Sequence, residues 1–265
     1  MLESRLYYED GVYSIDQEDL EEKLADPQTS MLILCNPHNP VGKIWDRETL
    51  ERIGELCFKH HVLVLSDEIH CDITRPGMEY IPFASVSEHC KNNSITCVAP
   101  TKTFNLAGLQ TAAVIVPDAA LRHRVNRGLN TDEVAEPNVF AAIAPIAAFD
   151  RGREWLEELR EYLWENRKFA EDFIREEIPE LRTVSADATY LLWIDCNALP
   201  GDLSELAEFI RKESGLYVCD GREYGNGYGF LRMNLACRRE LLKEGLERLK
   251  RSIHSYRKGI SNGII

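Results

Sequence analysis

Residues 62–70 read Val-Leu-Val-Leu-Ser-Asp-Glu-Ile-His. The first four form an unbroken apolar run with no alternation, the pattern of a strand covered on both faces. The run is far too short for a helix, and it ends abruptly in Ser66, Asp67, Glu68 and His70. The same pattern recurs on either side. Upstream, residues 31–35 (MLILC) run into 36–42 (NPHNPVG), which is turn chemistry. Downstream, residues 95–98 (ITCV) run into 99–105 (APTKTFN), and 112–116 (AAVIV) form a further run. Between the first two runs, Asp46 stands as a helix N-cap, and Leu50, Ile53, Leu56 and Cys57 recur at helical spacing. Strands alternating with helices predict an α/β fold, part of a mostly parallel large-domain sheet with flanking helices.

The pattern changes beyond about residue 117. Residues 121–129, 138–149 and 153–178 read as helices. In the last, Trp155, Leu156, Leu159, Leu163, Phe169 and Phe173 form an apolar stripe opposite the acidic positions Glu157, Glu158, Glu161 and Glu165. A break at 179–187 begins with a proline that cannot continue the helix. Then come an apolar run at 190–194 (YLLWI), a helix at 203–213, a short strand at 216–219, a Gly-rich loop at 221–229, a strand at 230–235 and a final helix from 239 to about 255. Residues 1–152 are therefore expected to form a large domain. Residues 153–265 are expected to form a long linking helix and a C-terminal α+β small domain.

The 265 residues carry 31 basic and 44 acidic side chains, a net charge of −13, with 44% hydrophobic and 28% charged residues. This balance is that of a globular protein with a sizeable core. The acidic excess argues against nucleic-acid or anionic-membrane partners, since both demand basic patches. No apolar run approaches the roughly 20 residues that span a bilayer. The opening MLESRLYYEDGVYS has no basic-then-apolar leader, so a cytoplasmic setting is expected. The eight cysteines form no CxxC and read as reduced thiols. His60-His61 ends a helix, and no metal site is expected. The tryptophans Trp155, Trp164 and Trp193 read as core residues.

In an open α/β sheet, ligands bind beyond the carboxyl ends of the strands. Asn39, Asp67 and Lys102 each follow one such end: an amide, an acid and a lysine. A lysine there can form a Schiff base if its surroundings keep it partly deprotonated. Each residue also has a plainer reading: Lys102 as a surface lysine, Asp67 as a helix N-cap, Asn39 as a turn residue, His70 as a satisfied core histidine. Arg232, inside an apolar strand, needs an anionic partner, which is either a ligand or a structural carboxylate.

Taken in order, Asn39-Pro40-Val41-Gly42, Ser66-Asp67-Glu68-Ile69-His70, the 101–109 segment TKTFNLAGL and the 230–234 segment FLRMN resemble fold-type I enzymes dependent on pyridoxal phosphate. They are most similar to the class I/II aminotransferase superfamily, and with YLLWID at 190–195 to its cystathionine β-lyase (C–S lyase) branch. The resemblance runs from about residue 8 to about residue 258. It implies a pyridoxal phosphate-dependent transferase-like fold with pyridoxal 5'-phosphate as cofactor. Lys102 would be the Schiff-base lysine that also moves the Cα proton. Asp67 would pair with the pyridine nitrogen. Asn39 would donate to the phenolate oxygen, which His70 also reaches in place of the tyrosine that many members carry. Thr101 would bond the phosphate, Arg232 would clamp the substrate carboxylate, and Tyr190 would line the substrate side. The implied reaction is cleavage of L-cystathionine or a related cysteine S-conjugate to a thiol, pyruvate and ammonia, by a homodimer. Transamination and a non-catalytic remnant are the alternatives. The motifs come early for this family, because a long segment normally precedes the Asn-Pro-x-Gly motif. The expectation is therefore of an N-terminally truncated chain with an incomplete phosphate site and uncovered apolar sheet surface.

Overall fold

Two aspartates start the first two helices. Asp16 accepts hydrogen bonds from the N–H groups of Glu18 and Asp19 at the head of α1 (Gln17–Leu24), and Asp46 accepts one from Thr49 at the head of α2 (Arg47–Lys59). Such bonds satisfy N–H groups that a helix start leaves unpaired. The computed structural model describes residues 1–262. Ahead of α1 lies an antiparallel hairpin, β1 (Leu6–Glu9) and β2 (Val12–Ile15), which the sequence reading did not include although its loop, Asp10-Gly11, is a two-residue hairpin turn with both residues at positive φ. The four strands expected from the apolar runs are all present: β3 (Met31–Cys35), β4 (Leu63–Asp67), β5 (Ser94–Val98) and β6 (Ala113–Ile115). They form one sheet in the order β3-β4-β5-β6. The first three are parallel and β6 runs antiparallel to β5, so the sheet is mostly parallel, as expected. Two short helices, α3 (Glu88–Asn92) and α4 (Pro100–Thr103), flank β5.

The expectation that these strands are covered on both faces is only half met. On one face, Leu34 and Val64 are buried against Leu50, Ile53, Leu56 and Cys57 of α2, with Leu20 and Leu24 of α1. On the other face, α5 (Ala119–Thr131) reaches only the β5 side, where Ile95, Val116 and Leu121 cluster. Ile33 remains 64% exposed there, and Val114 is exposed too. The apolar helix α6 (Phe140–Arg151) exposes Phe140, Ile143, Ile146 and Phe149.

The long helix α7 (Arg153–Glu177) forms as expected, but its buried stripe is Leu163, Asn166, Arg167, Ala170 and Ile174. Trp155 is 45% exposed and stacks on Phe104 rather than entering the core. Trp164 is half-buried between the guanidinium groups of Arg75 and Arg167. Both correct the sequence reading, because periodicity marks an apolar stripe but not which of its side chains find a covering neighbour. Beyond α7, strands β7 (Arg182–Thr183), β8 (Leu191–Asp195), β9 (Cys219–Asp220) and β10 (Phe230–Asn234) form an antiparallel sheet in the order β7-β8-β10-β9. Helices α7, α8 (Leu206–Ser214) and α9 (Arg239–Ser261) cover one face, burying Ala170, Leu192, Ile194, Leu206, Ile210, Leu231 and Leu246. On the other face, Trp193 and Phe230 stack at 5.1 Å and receive Tyr8 and Tyr13 of the hairpin. The Tyr8 hydroxyl donates to Asp195, and the Trp193 indole N–H donates to the Tyr13 oxygen. All eight cysteines are free. No helix among the described residues is long and apolar enough to cross a membrane.

The two sheets meet at backbone level. The Gly42 carbonyl accepts the N–H groups of Asp187 and Ala188, Thr189 N–H donates to the Ile73 carbonyl, and Arg75 N–H donates to the Asp187 carbonyl. Gly42 has φ +78°, and a Cβ there would lie 2.5 Å from the Ala188 carbonyl oxygen and 2.8 Å from Ala186 Cβ. Gly42→Ala is therefore expected to destabilise the fold by at least about 1–3 kcal/mol through backbone strain alone. Urea unfolding checks this, and a midpoint unchanged from the parent chain would refute it.

Candidate active site

β3, β4 and β5 end side by side, with Cys35 opposite Asp67 and Asp67 opposite Cys97 in register. The polar residues that follow these ends therefore share one edge of the sheet, where ligands of α/β folds bind. Asp67 closes β4, and its carboxylate accepts the Ile69 N–H at 3.2 Å. No helix follows, so the N-cap reading of Asp67 falls away. The next residue, Glu68, is 2% exposed and accepts the Ser66 hydroxyl at 2.9 Å and the Phe83 N–H at 3.0 Å. Burial pushes its carboxyl above the usual range despite those bonds. Its role is to tie the end of β4 to the loop beneath it. Lys102 lies on α4, the single turn after β5, half-buried, with Thr101 beside it.

The second wall comes from the antiparallel sheet. Arg232 pairs with Trp193 across β10 and β8 and with Cys219 across β10 and β9. Strand alternation points it to the face opposite the Leu231 and Met233 core. Its Nη1 donates to Asn39 Oδ1 at 3.1 Å, and its Nη2 approaches Cys219 Sγ at 3.4 Å. The guanidinium carbon stands 4.4 Å from the centre of the Tyr224 ring, a cation–π contact. Arg232 thus rests on an amide, a thiol and an aromatic face, and no carboxylate among the described residues pairs with it. Tyr224, whose hydroxyl is pushed up to about 12 by burial and by its contact with Cys219, was missed by sequence reasoning. The available signal was its place in the Gly-rich segment preceding Arg232.

His70 joins the two walls. It is 3% exposed, and its Nδ1 is buried without a hydrogen-bond partner. Its ring stands edge-on to Tyr190 at 5.8 Å. Burial lowers its pKa to about 4; the charges of Lys102 and Arg232 also lower it, and that of Asp67 opposes them. All three charged candidates therefore act on the same imidazole. Tyr190 is itself held above its ordinary pKa by burial, with Arg232 opposing. The structure brings together Asn39, Asp67, His70, Lys102, Tyr190 and Arg232. Thr101 lies beside Lys102, and its carbonyl accepts the Leu106 N–H. No group of three or more histidine, cysteine, aspartate or glutamate side chains among the described residues has the arrangement to hold a metal ion.

His38, in the loop after β3, resembles His70: its Nδ1 is buried without a partner, and burial lowers its pKa to about 4. Both imidazoles stay neutral in the folded chain while the unfolded chain takes up protons near the ordinary histidine pKa. Stability is thus expected to fall as the pH drops from about 6.5 to about 4. In the His38→Gln/His70→Gln double variant this slope should flatten, as read from urea midpoints against pH; an equal slope in parent and variant would contradict the burial argument.

The family model for aminotransferase class I and II matches residues 4–249. Cystathionine beta-lyase PatB of Bacillus subtilis (strain 168) is 42% identical over 254 residues, which cover 96% of this chain and 66% of that protein. Protein MalY of Escherichia coli (strain K12) is 33% identical, over 91% of this chain and 62% of that protein. The chain thus spans just under two thirds of the length of these curated relatives. Among solved structures, a PLP-bound putative aminotransferase from Clostridium difficile 630 superposes with a TM-score of 0.91 at 40% identity, covering 94% of this chain and 65% of that one. Cystalysin from Treponema denticola, which contains a pyridoxal 5'-phosphate cofactor, gives 0.93 at 31% identity, covering 96% and 65%.

Proposed function

We propose, on the premise that this chain belongs to the aminotransferase class I and II family, that it is the part of a pyridoxal 5'-phosphate enzyme carrying the reactive lysine and the substrate-carboxylate arginine. The reaction is C–S β-lysis of L-cystathionine or a related cysteine S-conjugate, giving a thiol, pyruvate and ammonia. The observation that carries this reading is the 3.1 Å bond from Arg232 to Asn39, which joins the two sheets over the ends of the strands that bear Asp67 and precede Lys102. The 42% identity to a cystathionine beta-lyase supports the choice of reaction. Transamination is the second reading, favoured by the likeness to the Clostridium difficile putative aminotransferase.

The residues present fit the cofactor. The unpartnered Nδ1 of His70 is a buried polar atom in want of a neighbour, and burying such an atom is costly unless something bonds it. Lys102 would hold the aldehyde carbon, Asp67 the ring nitrogen, Asn39 and His70 the phenolic oxygen, and Thr101 the phosphate. When bound, pyridoxal phosphate supplies an electron-withdrawing ring conjugated to the substrate nitrogen. Asp67 keeps a proton on the ring nitrogen by placing a carboxylate beside it. Arg232 binds and orients the α-carboxylate, its plane held by Tyr224 and Asn39. Lys102 Nζ takes the Cα proton and passes a proton to the sulfur that leaves Cβ as a thiol, and one water then hydrolyses the released enamine to pyruvate and ammonia. Tyr190 and His70 form an apolar-edged wall that excludes water from the proton transfer. Residues 1–152 act as the cofactor-bearing unit and 153–265 as the unit that delivers Arg232. The exposed apolar face of α6 supports assembly as a homodimer, and the free thiols support a cytoplasmic setting.

Borohydride reduction of the chain with pyridoxal 5'-phosphate is expected to fix the cofactor on the peptide containing Lys102 and on no other lysine. Mass spectrometry reads the site, and an adduct on Lys91 or elsewhere would sink the assignment. Release of pyruvate from cystathionine without a keto-acid acceptor distinguishes lysis from transamination.

Arg232→Ala should weaken amino-acid binding by roughly 2–5 kcal/mol, the range for truncating one member of a buried charge pair. Substrate titration of the parent and variant checks this; equal affinities would rule out the clamp.

A further inference from the structure

α4 carries Lys102 on only four residues, Pro100–Thr103. A helix that short has no stability of its own. Its N-cap, Ala99, makes no side-chain capping bond, and Pro100 offers no N–H. What holds it is lateral. Thr103 is fully buried, and its hydroxyl donates to Asp72 Oδ2 at 3.0 Å. Asp72 belongs to the loop that leaves β4, the same loop that follows Asp67 and carries His70. Its main-chain carbonyl accepts Arg160 Nε of α7 at 2.7 Å, and Arg160 is paired in turn with Glu157 at 3.0 Å. With Thr103 pinned inward, its neighbour Lys102 is turned about 100° round the helical turn, where it stands half-buried.

We propose that Asp72 is a positioning residue for Lys102. Through the Thr103 hydroxyl, its carboxylate fastens the turn bearing the lysine to the loop that follows Asp67 and bears His70. The proposal rests on Lys102 being the reactive lysine of the site. It assigns Asp72 a role through a hydrogen bond, not through its charge, and the two are separable. Thr103→Val keeps the Asp72 charge and removes the bond. Asp72→Asn removes the charge and keeps an oxygen that can accept from Thr103.

The test is limited reductive methylation of the full chain with formaldehyde and cyanoborohydride, with the rate at each lysine read by mass spectrometry. No cofactor is present, so failure here is distinct from failure of the cofactor reading. Thr103→Val and Asp72→Ala are each expected to release Lys102 and raise its rate roughly fivefold, the size that loss of one buried hydrogen bond gives. The exposed Lys59 and Lys91 should keep their rates. The double variant should match the singles, since both remove one bond. Asp72→Asn should stay within about twofold of the parent chain. An unchanged Lys102 rate in folded Thr103→Val would overturn the proposal. So would a change in Asp72→Asn as large as that in Asp72→Ala, which would mean that charge is what matters. If Asp72→Ala does not fold, as judged by thermal melting, Thr103→Val and Asp72→Asn decide the question between them.

Discussion

The Gly42 carbonyl accepts two N–H groups at once, from Asp187 and Ala188, in a space where a methyl group at residue 42 would collide with backbone. Around it, Ile73 accepts from Thr189 and Asp187 accepts from Arg75. Buried main-chain groups must find partners, and here the loops after β3 and β4 satisfy those of the segment that leads into β8. The antiparallel sheet is thereby docked over the carboxyl edge of the parallel one. Every cross-sheet contact in the candidate site is downstream of this seam: Arg232 on Asn39, Tyr190 against His70, and the shared electrostatics of Lys102, Asp67 and Arg232.

The charge within the site runs against the charge of the chain. The chain carries a net −13, whereas the charges of Lys102 and Arg232 act together with that of Asp67 on the buried His70. The histidine between them stays neutral because it is buried and because the two cations outweigh the single anion. The site also uses Arg232 economically: Tyr224 takes its face, while Asn39 and Cys219 each take one edge, which fixes the plane in which further N–H groups can be offered.

Burial is uneven. The antiparallel sheet is closed on both sides, by three helices and by the β1–β2 hairpin. The parallel sheet is closed on one side by α1 and α2 and only partly on the other by α5. Ile33, Val114 and the outer face of α6 remain in water. The uncovered surface anticipated from the early position of the motifs is therefore present, and it lies on the sheet that carries Asp67.

The sequence by itself determined the parallel strands, their polar ends and the candidates Asn39, Asp67 and Lys102, because these rest on local facts. An unbroken apolar run makes a strand, and the residue that ends the run must stand at its edge. It also marked Asp46 as a cap, since a capping bond spans only three residues. The hairpin of Tyr8 and Tyr13 was legible in its Asp10-Gly11 turn, but where it docks was not, because its apolar partners, Trp193 and Phe230, lie at the far end of the chain. The stripe on α7 was drawn through Trp155, whereas Arg167 is buried instead, paired with the Leu191 carbonyl and Glu171. Periodicity shows that a helix has an inward face but not which residues find partners there. The amide that Arg232 meets, the tyrosine it lies on and the aspartate behind the lysine turn were decided by the tertiary structure alone. Each is a contact between segments whose proximity is set by the docking of one sheet on another, and no local pattern encodes that distance.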